Sequence, residues 1–144
     1  MIIIGHGIDI LEIERIRKAI IRTPKIIFKI LHEEEIEELL LITNKEKKYS
    51  FIAKRFCAKE ALAKAIGCGI FDKHFMMKKI QVKHNKNRAP YFNINEHLLN
   101  SIRIFCHTAC FQIHLSISDA KNIAQASVII EMMNEKPLAS IFNN

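Results

Sequence analysis

Four residues that follow one another at three- and four-residue steps combine small side chains with a carboxylate and an ammonium group. They are Ala53, Cys57, Glu60 and Lys64, and on a helix this spacing would place them in one stripe. A paired acid and base beside small side chains would let a polar ligand lie against the helix. The same spacing also suits an exposed Glu–Lys pair that contributes only about 0.2–0.5 kcal/mol to the helix, and spacing does not decide between these interpretations.

A second carboxylate lies near the N-terminus, at the end of an apolar segment. Residues 2–10 alternate in two phases, as in a β-strand: one phase is mostly isoleucine, and the other contains Gly5, Gly7 and Asp9. The glycines would leave backbone bare beside Asp9, which is what close approach by a ligand requires. The alternative is that Asp9 caps the following helix, because Asp is a frequent N-cap residue.

A long helix is predicted to carry the stripe. From Tyr49 onwards the sequence is rich in Ala, Leu, Lys, Arg and Glu, and Gly67 follows the last periodic residue as a usual helix stop. Residues 43–48, TNKEKK, are predicted to form a polar link before this helix.

The rest of the chain is predicted to alternate helices and strands. Periodicity predicts helices at 11–22, 33–42 and 96–105, and strands at 80–83, 91–94, 111–118 and 124–132. No internal repeat or long linker is present, so residues 1–144 are predicted to form a single domain, with about 133–144 as a C-terminal tail.

Basic residues recur along one face of the predicted helix at 11–22. Arg15, Lys18 and Arg22 lie at positions i, i+3 and i+7, away from the apolar face of the same helix. This basic ridge begins six residues after Asp9, so a partner bound there would lie near the acid. The alternative is an ordinary solvated surface.

Composition restricts the partners and the compartment. The 144 residues carry a net charge of +7 with a pI near 9.3, which indicates an anionic partner without identifying it. The four cysteines form no C-x-x-C pair, which favours reduced thiols in a cytoplasmic protein. No apolar run approaches the roughly 20 residues that span a bilayer, so no membrane association is expected.

Three motifs closely resemble those of a known family. The pattern F-x-A-K-R-F-x-x-K-E-A-x-x-K-A-x-G-x-G, from Phe51 to Gly69, is similar to the signature of the holo-acyl-carrier-protein synthases, the small 4'-phosphopantetheinyl transferases. A second element of that family, G-x-D-I-x-x-I-x-R-I, is matched at 7–16, and H-L-S-I-S-D at 114–119 resembles a third. The resemblance extends with gaps to about Glu131, but the loop at 84–90 lacks the glycine that relatives have there.

The resemblance implies an α+β fold, in which a small antiparallel sheet packs on the long central helix and shorter helices. It also implies transfer of the 4'-phosphopantetheine group from coenzyme A to a serine of apo-acyl carrier protein, for fatty acid biosynthesis. In that reaction Asp9 and Glu60 would bind Mg²⁺, Glu60 would help to deprotonate the serine, and Lys64 would steady the phosphates.

Further residues receive roles from the same resemblance. Arg55 and His114 would hold phosphates of the nucleotide half, and Gly67 and Gly69 would give coenzyme A room near the backbone. The basic ridge would bind the acidic acyl carrier protein. The family's enzymes of this length are homotrimers with active sites between subunits, which implies the same assembly here.

Other functional classes are less consistent with the sequence. A basic nucleic-acid-binding domain would explain the charge, but no RNP-like motif, zinc finger or recognition helix is present, so no nucleic acid is expected. A Mg²⁺-dependent nucleotide hydrolase would require a P-loop, which is absent. A non-catalytic carrier-protein-binding subunit is the third alternative, and the retention of Asp9, Glu60 and Lys64 together argues against it.

Overall fold

The structure, a computed structural model, describes residues 2–133, so the predicted tail lies outside the described residues except for its start. Within this range, five strands and five helices alternate with two short 3₁₀ turns. In chain order they are β1 (Ile2–Glu12), α1 (Ile13–Arg22), a 3₁₀ turn (Pro24–Ile26), α2 (Ile27–Ile30), α3 (Glu33–Leu41), α4 (Lys45–Ile66), a 3₁₀ turn (Met77–Lys79), β2 (Gln81–His84), β3 (Pro90–Asn93), α5 (Glu96–Cys106), β4 (Phe111–Ala120) and β5 (Ile123–Met132).

The strands form two antiparallel sheets. The larger sheet has the order β1-β5-β4, and β2 pairs with β3 as a separate hairpin. The register pairs Asp9 of β1 with Ala126 of β5, and His114 of β4 with Ile129 of β5. The alternation of apolar and polar residues predicted each of these strands to within a few residues, because one face of each strand packs on the core.

The inner face of the larger sheet packs on α4 at very short range. A Cβ atom added to Gly5 would lie 2.1 Å from the Ala65 carbonyl oxygen, and one added to Gly7 would lie 2.0 Å from that of Ala61. The glycines therefore allow β1 to contact the helix backbone. The interpretation that they expose backbone to a ligand is wrong, because α4 already covers that face.

The central helix α4 begins earlier than predicted. The Asn44 side chain accepts a hydrogen bond from the Lys47 N–H at 2.9 Å, so the TNKEKK segment contains the N-cap and the first helical turn, and its prediction as a link is wrong. The end of the helix was predicted correctly, because Gly67 adopts the left-handed conformation at φ 83°. No helix within the described part of the chain is long and apolar enough to cross a membrane.

The connection from β1 to α3 also differs from the prediction. The strand continues to Glu12 and α1 starts at Ile13, so Asp9 lies inside β1 and does not cap the helix. After α1, the chain forms a 3₁₀ turn that starts at Pro24, followed by the four-residue helix α2. Neither was predicted, because elements this short have too few residues to show periodicity.

One hydrophobic core cluster includes buried side chains from the larger sheet, α4, α5 and the β2–β3 hairpin. In α5, Leu98 and Ile102 are completely buried, as their periodicity predicted. The shared core is consistent with a single domain for residues 1–144, which stays a prediction.

Candidate active site

Asp9 and Lys64 come together where β1 crosses α4. The Lys64 Nζ lies 2.9 Å from Asp9 Oδ1 and donates a second hydrogen bond, at 3.0 Å, to the Ile8 carbonyl oxygen. Glu60 is one helical turn before Lys64, and it lines the same cleft as Asp9. Asp9 is therefore a neighbour of Glu60 and Lys64 in the fold, although it is far from both in the sequence.

The Glu60 carboxylate is the unusual member of this group. Its Oε2 atom is buried and accepts no hydrogen bond within the described structure. Burial raises the pKa of Glu60, the negative charge of Asp9 raises it further, and Lys64 acts in the opposite direction. A buried carboxylate oxygen without a partner is costly, so the site is completed when a proton, a cation or a ligand reaches this oxygen.

The donor set fits Mg²⁺. Magnesium binds oxygen ligands and is usually held by only one or two protein carboxylates, with water and substrate phosphates completing its shell. Asp9 and Glu60 supply two such carboxylates beside a cleft. No larger cluster of His, Cys, Asp or Glu that could hold a metal ion occurs among residues 2–133.

Lys64 is held as a cation. Its hydrogen bond to Asp9 raises the pKa of the ammonium group, burial acts in the opposite direction, and the negative charges of Asp9 and Glu60 raise the pKa further. The side chain is 46% exposed, whereas that of Asp9 is 13% exposed. Lys64 is therefore charged, its ammonium group is held by two hydrogen bonds, and it is accessible to an anionic ligand.

The remaining two residues of the stripe are not accessible to a ligand. Ala53 and Cys57 are completely buried against the sheet. The Cys57 thiol donates to the Ala124 carbonyl oxygen at 3.4 Å, and burial, followed by the charge of Asp9, raises the pKa of this thiol. The prediction of a four-residue ligand-binding stripe is corrected to Glu60 and Lys64 alone.

A cleft of about 330 Å³ opens beside the two carboxylates. Arg15 of the basic ridge lines it, whereas Lys18 and Arg22 are exposed elsewhere on α1. Its other walls are mostly apolar and come from β1, α1, the first 3₁₀ turn, α2, α4 and the loop after α4; they are Ile10, Leu11, Ile16, Ala19, Ile26, Ile30, Phe56 and Ile70.

Arg55 lies outside this cleft. Its side chain is only 4% exposed, its Nε lies 3.5 Å from Glu35 Oε1, and its Nη2 donates to Glu38 Oε2 at 3.2 Å. The guanidinium group also stacks on the Phe51 ring at 4.3 Å. These contacts give Arg55 a structural role within one chain, and its assignment to a phosphate of coenzyme A stays a prediction.

The other residues assigned to the nucleotide are also apart from the cleft in a single chain. His114 is on the sheet face opposite α4, where its Nε2 lies 2.9 Å from Glu131 Oε2, and β5 separates its strand from β1. Gly67 serves as the C-cap of α4, and the space around Gly67 and Gly69 is open. Their roles in binding coenzyme A stay predictions.

A buried ion pair beside the site was not predicted. Glu35 of α3 and Lys59 of α4 are completely buried, and we call them the Glu35–Lys59 node. Lys59 Nζ donates to Glu35 Oε2 at 2.5 Å and to the Ile30 carbonyl oxygen at 2.8 Å. Glu35 Oε1 accepts the Val82 N–H, and Glu35 Oε2 accepts the His32 N–H, each at 2.9 Å.

The node carries an electrostatic cost that its contacts offset. Burial lowers the pKa of Lys59 to about 8, although the charge of Glu35 acts in the opposite direction. In the sequence, Lys59 was a motif residue without a role, and Glu35 was one of three acids in the first turn of a helix. Acids at that position are usually exposed and interact with the helix dipole, so nothing local signalled a buried partner.

The fold agrees with comparisons to known proteins. A family model described as the 4'-phosphopantetheinyl transferase superfamily matches residues 5–127. The chain therefore belongs to this superfamily, as its motifs predicted.

Comparisons with individual proteins match the chain to holo-[acyl-carrier-protein] synthases. The chain is 40% identical over 134 residues to the holo-[acyl-carrier-protein] synthase of Wigglesworthia glossinidia brevipalpis, covering 91% of this chain and 94% of the relative. It is 36% identical over 132 residues to that of Anoxybacillus flavithermus, covering 92% and 98%. A solved holo-(acyl-carrier-protein) synthase from Bacillus anthracis, in complex with CoA (3',5'-ADP), superposes with a TM-score of 0.74 at 32% identity, covering 92% and 100%. The predicted α+β fold is thus confirmed.

Proposed function

We propose that the chain transfers the 4'-phosphopantetheine group of coenzyme A to a serine hydroxyl of apo-acyl carrier protein, in fatty acid biosynthesis. The products are holo-acyl carrier protein and adenosine 3',5'-bisphosphate. Family membership and the names of the relatives support the reaction. The observation that carries it in this chain is the unpaired Glu60 oxygen beside Asp9 and Lys64, at the edge of a cleft.

Asp9 and Glu60 hold Mg²⁺ in this proposal. When bound, the ion neutralises charge on the pyrophosphate of coenzyme A and helps to orient it. The two carboxylates fit this role because both line the cleft and because one oxygen of Glu60 has no other partner. Their mutual repulsion, which contributes to the raised pKa of Glu60, is relieved when a cation lies near both.

Lys64 binds the phosphates of the leaving nucleotide. An ammonium group has three N–H donors, and two of those of Lys64 are used by Asp9 and by the Ile8 carbonyl oxygen. The third is available for a phosphate oxygen. The two fixed contacts orient this donor before the substrate arrives, so that little reorganisation is needed during the transfer.

Glu60 accepts the proton of the attacking serine. A new bond forms between the serine oxygen and the phosphorus attached to pantetheine, and the bond from that phosphorus to the bridging oxygen breaks. The released electron pair leaves with adenosine 3',5'-bisphosphate.

The basic ridge of α1 binds the acyl carrier protein. Arg15, Lys18 and Arg22 are exposed, and Arg15 also lines the cleft. The family resemblance implies that the carrier protein is acidic, so its charge is complementary to this surface. A carrier bound there would have its serine close to Glu60.

We also infer a homotrimer in which each cleft lies between two subunits. Ile8 and Ile10 are 50% and 62% exposed on the sheet face opposite α4. The register places Ile129 beside His6 on one side and beside His114 on the other, so His114 belongs to the same face. A neighbouring copy that covers these isoleucines would bring His114 into a shared site, where it and Arg55 would bind phosphates and Gly67 and Gly69 would line the coenzyme.

We place the enzyme in the cytoplasm. Its four cysteines are free in the described structure, which fits a reducing compartment. Neither a nucleic-acid-binding domain nor a non-catalytic carrier-binding subunit gains support from the structure or from the relatives.

The direct test uses the purified chain, apo-acyl carrier protein, coenzyme A and Mg²⁺, with the carrier weighed by mass spectrometry. We expect the carrier to gain the mass of one phosphopantetheine group, with loss of the gain when EDTA is added or when Asp9→Ala replaces the wild type. A carrier of unchanged mass after incubation with the wild-type chain and Mg²⁺ would contradict the proposal.

A further inference from the structure

The helix α2 is too short to be stable by itself. It has four residues, and its N-cap residue, Ile26, makes no side-chain capping hydrogen bond. Helices of one turn depend on tertiary contacts, because nucleation is unfavourable and the terminal carbonyl groups lack partners within the helix. The carbonyl oxygen of Ile30, the last residue of α2, accepts its hydrogen bond from Lys59 Nζ at 2.8 Å.

This contact joins α2 to the active-site helix. Lys59 directly precedes Glu60 on α4, and Ile26 and Ile30 line the same cleft as Glu60. The segment that contains α2 also follows directly on the basic ridge of α1, and it exposes Phe28 at its surface. The buried side chain of Lys59 therefore joins the apolar wall of the cleft to α4 at the position next to Glu60.

Stability alone does not account for a lysine at this position. A buried ion pair contributes little net stability compared with well-packed apolar side chains of similar volume, because both charges must leave water. Both oxygens of Glu35 nevertheless have partners, because they accept hydrogen bonds from Lys59, His32 and Val82. What an apolar side chain could not supply is the donor to the end of α2.

We propose that Lys59 is a positioning residue for the transfer reaction. Its ammonium group holds the end of α2, and with it the cleft wall next to the basic ridge, at a set position relative to Glu60. A docked carrier protein then presents its serine to Glu60 in a reactive geometry. The inference rests on the proposed function, and it assigns to Glu35 the role of neutralising and orienting Lys59.

The kinetic test compares two variants that both break the buried ion pair. Lys59→Met removes the donor to Ile30, whereas Glu35→Gln keeps it. We expect Lys59→Met to raise the KM for apo-carrier protein by about tenfold, the effect of losing one charged hydrogen bond that shapes the docking surface. Its KM for coenzyme A and its Mg²⁺ requirement should stay within about twofold of the wild type.

Glu35→Gln is the matched control. It should lower the melting temperature while changing the carrier KM by less than about twofold, because Lys59 still reaches Ile30. If Lys59→Met leaves the carrier KM unchanged, or if both variants change all parameters in parallel, Lys59 is only a structural residue and the inference is overturned.

Hydrogen exchange gives a readout that does not need activity, and its measurement on the wild type does not need a folded variant. In the wild type, the Leu31 amide donates to the Ile27 carbonyl oxygen at 2.9 Å. In the wild type we expect the amides at 27–31 to be protected nearly as strongly as those of α4. In Lys59→Met we expect the amides at 27–31 to exchange at least about tenfold faster, while those at 52–66 are unchanged. If 27–31 exchanges in the wild type as fast as an exposed loop, Lys59 does not hold α2. Failure of the wild type to modify the carrier would instead refute the proposed function and leave this result interpretable.

Discussion

Two lysines on α4, Lys59 and Lys64, each pair with a carboxylate from elsewhere in the chain, and the two regions differ in burial and in whether every carboxylate oxygen has a hydrogen-bond partner. Lys59 and Glu35 are completely buried, and both oxygens of Glu35 accept hydrogen bonds. Lys64 is 46% exposed beside Asp9, and neighbouring Glu60 has a buried oxygen with no partner.

This difference distinguishes a structural ion pair from a group that we propose to be catalytic. A completely buried charge pair whose two carboxylate oxygens accept hydrogen bonds within the protein holds one arrangement, and no ligand reaches it. A pair with an unused donor and an unsatisfied oxygen keeps the capacity to bind a ligand, at some cost in stability. Lys59 and Lys64 are five residues apart on the same helix, and in our proposal the buried pair positions the cleft wall beside the reactive one.

Removal of Glu60 should show most clearly how the reactive site differs from the Glu35–Lys59 node. Glu60→Ala should lower the transfer rate by about a thousandfold or more, because a metal ligand and a proton acceptor are lost together. Its free energy of unfolding should not fall, because an unpaired buried oxygen is removed. Initial rates and urea unfolding measure the two quantities, and Asp9→Ala serves as a second variant of the same site. Normal turnover in either variant would contradict the metal assignment.

Removal of Glu35 should have the opposite signature. Glu35→Ala leaves Lys59 buried without a countercharge, and breaking a buried pair in this way costs about 3–5 kcal/mol of unfolding free energy. Glu37→Ala, on the exposed face of the same helix, should change the unfolding free energy by less than about 0.5 kcal/mol. A loss below 1 kcal/mol for Glu35→Ala would mean that the node is not a main support of α4.

A substitution at Gly7 should affect the reactive pair through packing. Gly7→Ala places a Cβ 2.0 Å from the Ala61 carbonyl oxygen, so β1 must move away from α4, at a cost of about 1–3 kcal/mol. Asp9, two residues further along β1, should move with the strand, and the transfer activity of the variant should therefore fall. The control is Gly69→Ala, where a Cβ meets open space, and equal unfolding free energies for the two variants would disprove the close contact.

Charge reversal on the basic ridge should have the smallest effect and leave both pairs intact. Arg15→Glu with Arg22→Glu should raise the KM for the carrier protein by about tenfold, with stronger effects at low salt, while the KM for coenzyme A stays nearly unchanged. The control reverses two exposed charges elsewhere, Arg103→Glu with Lys78→Glu. If both double variants weaken carrier binding equally, net charge rather than the ridge accounts for the affinity.

Local pattern was sufficient for most of the fold. Alternation predicted β4 and β5, the 3.6-residue period predicted α5, and Gly67 correctly marked the end of α4. The motif residues Asp9, Glu60 and Lys64 were also identified from the sequence, because their types and their order match those of the superfamily. Their convergence was implied by the resemblance rather than by spacing.

One error falls where the determining contact is distant in the sequence, and another where a local segment is compatible with two structures. Gly5 and Gly7 resembled a ligand-binding segment, but the helix backbone that they contact lies more than fifty residues later. The Asn44 N-cap was missed because a polar, lysine-rich segment resembles a loop as much as a first helical turn.

By itself the sequence determined the family, the main helices and strands, and the three residues proposed for catalysis, since periodicity and residue type are properties of short segments. Only the tertiary structure decided which charged residues are buried and which have a donor or acceptor atom left unpaired for a ligand. Glu35 and Glu60 have chemically identical side chains, and both lie on helices. The difference between them arises because burial and hydrogen-bond partners are set by segments that meet only in the folded chain.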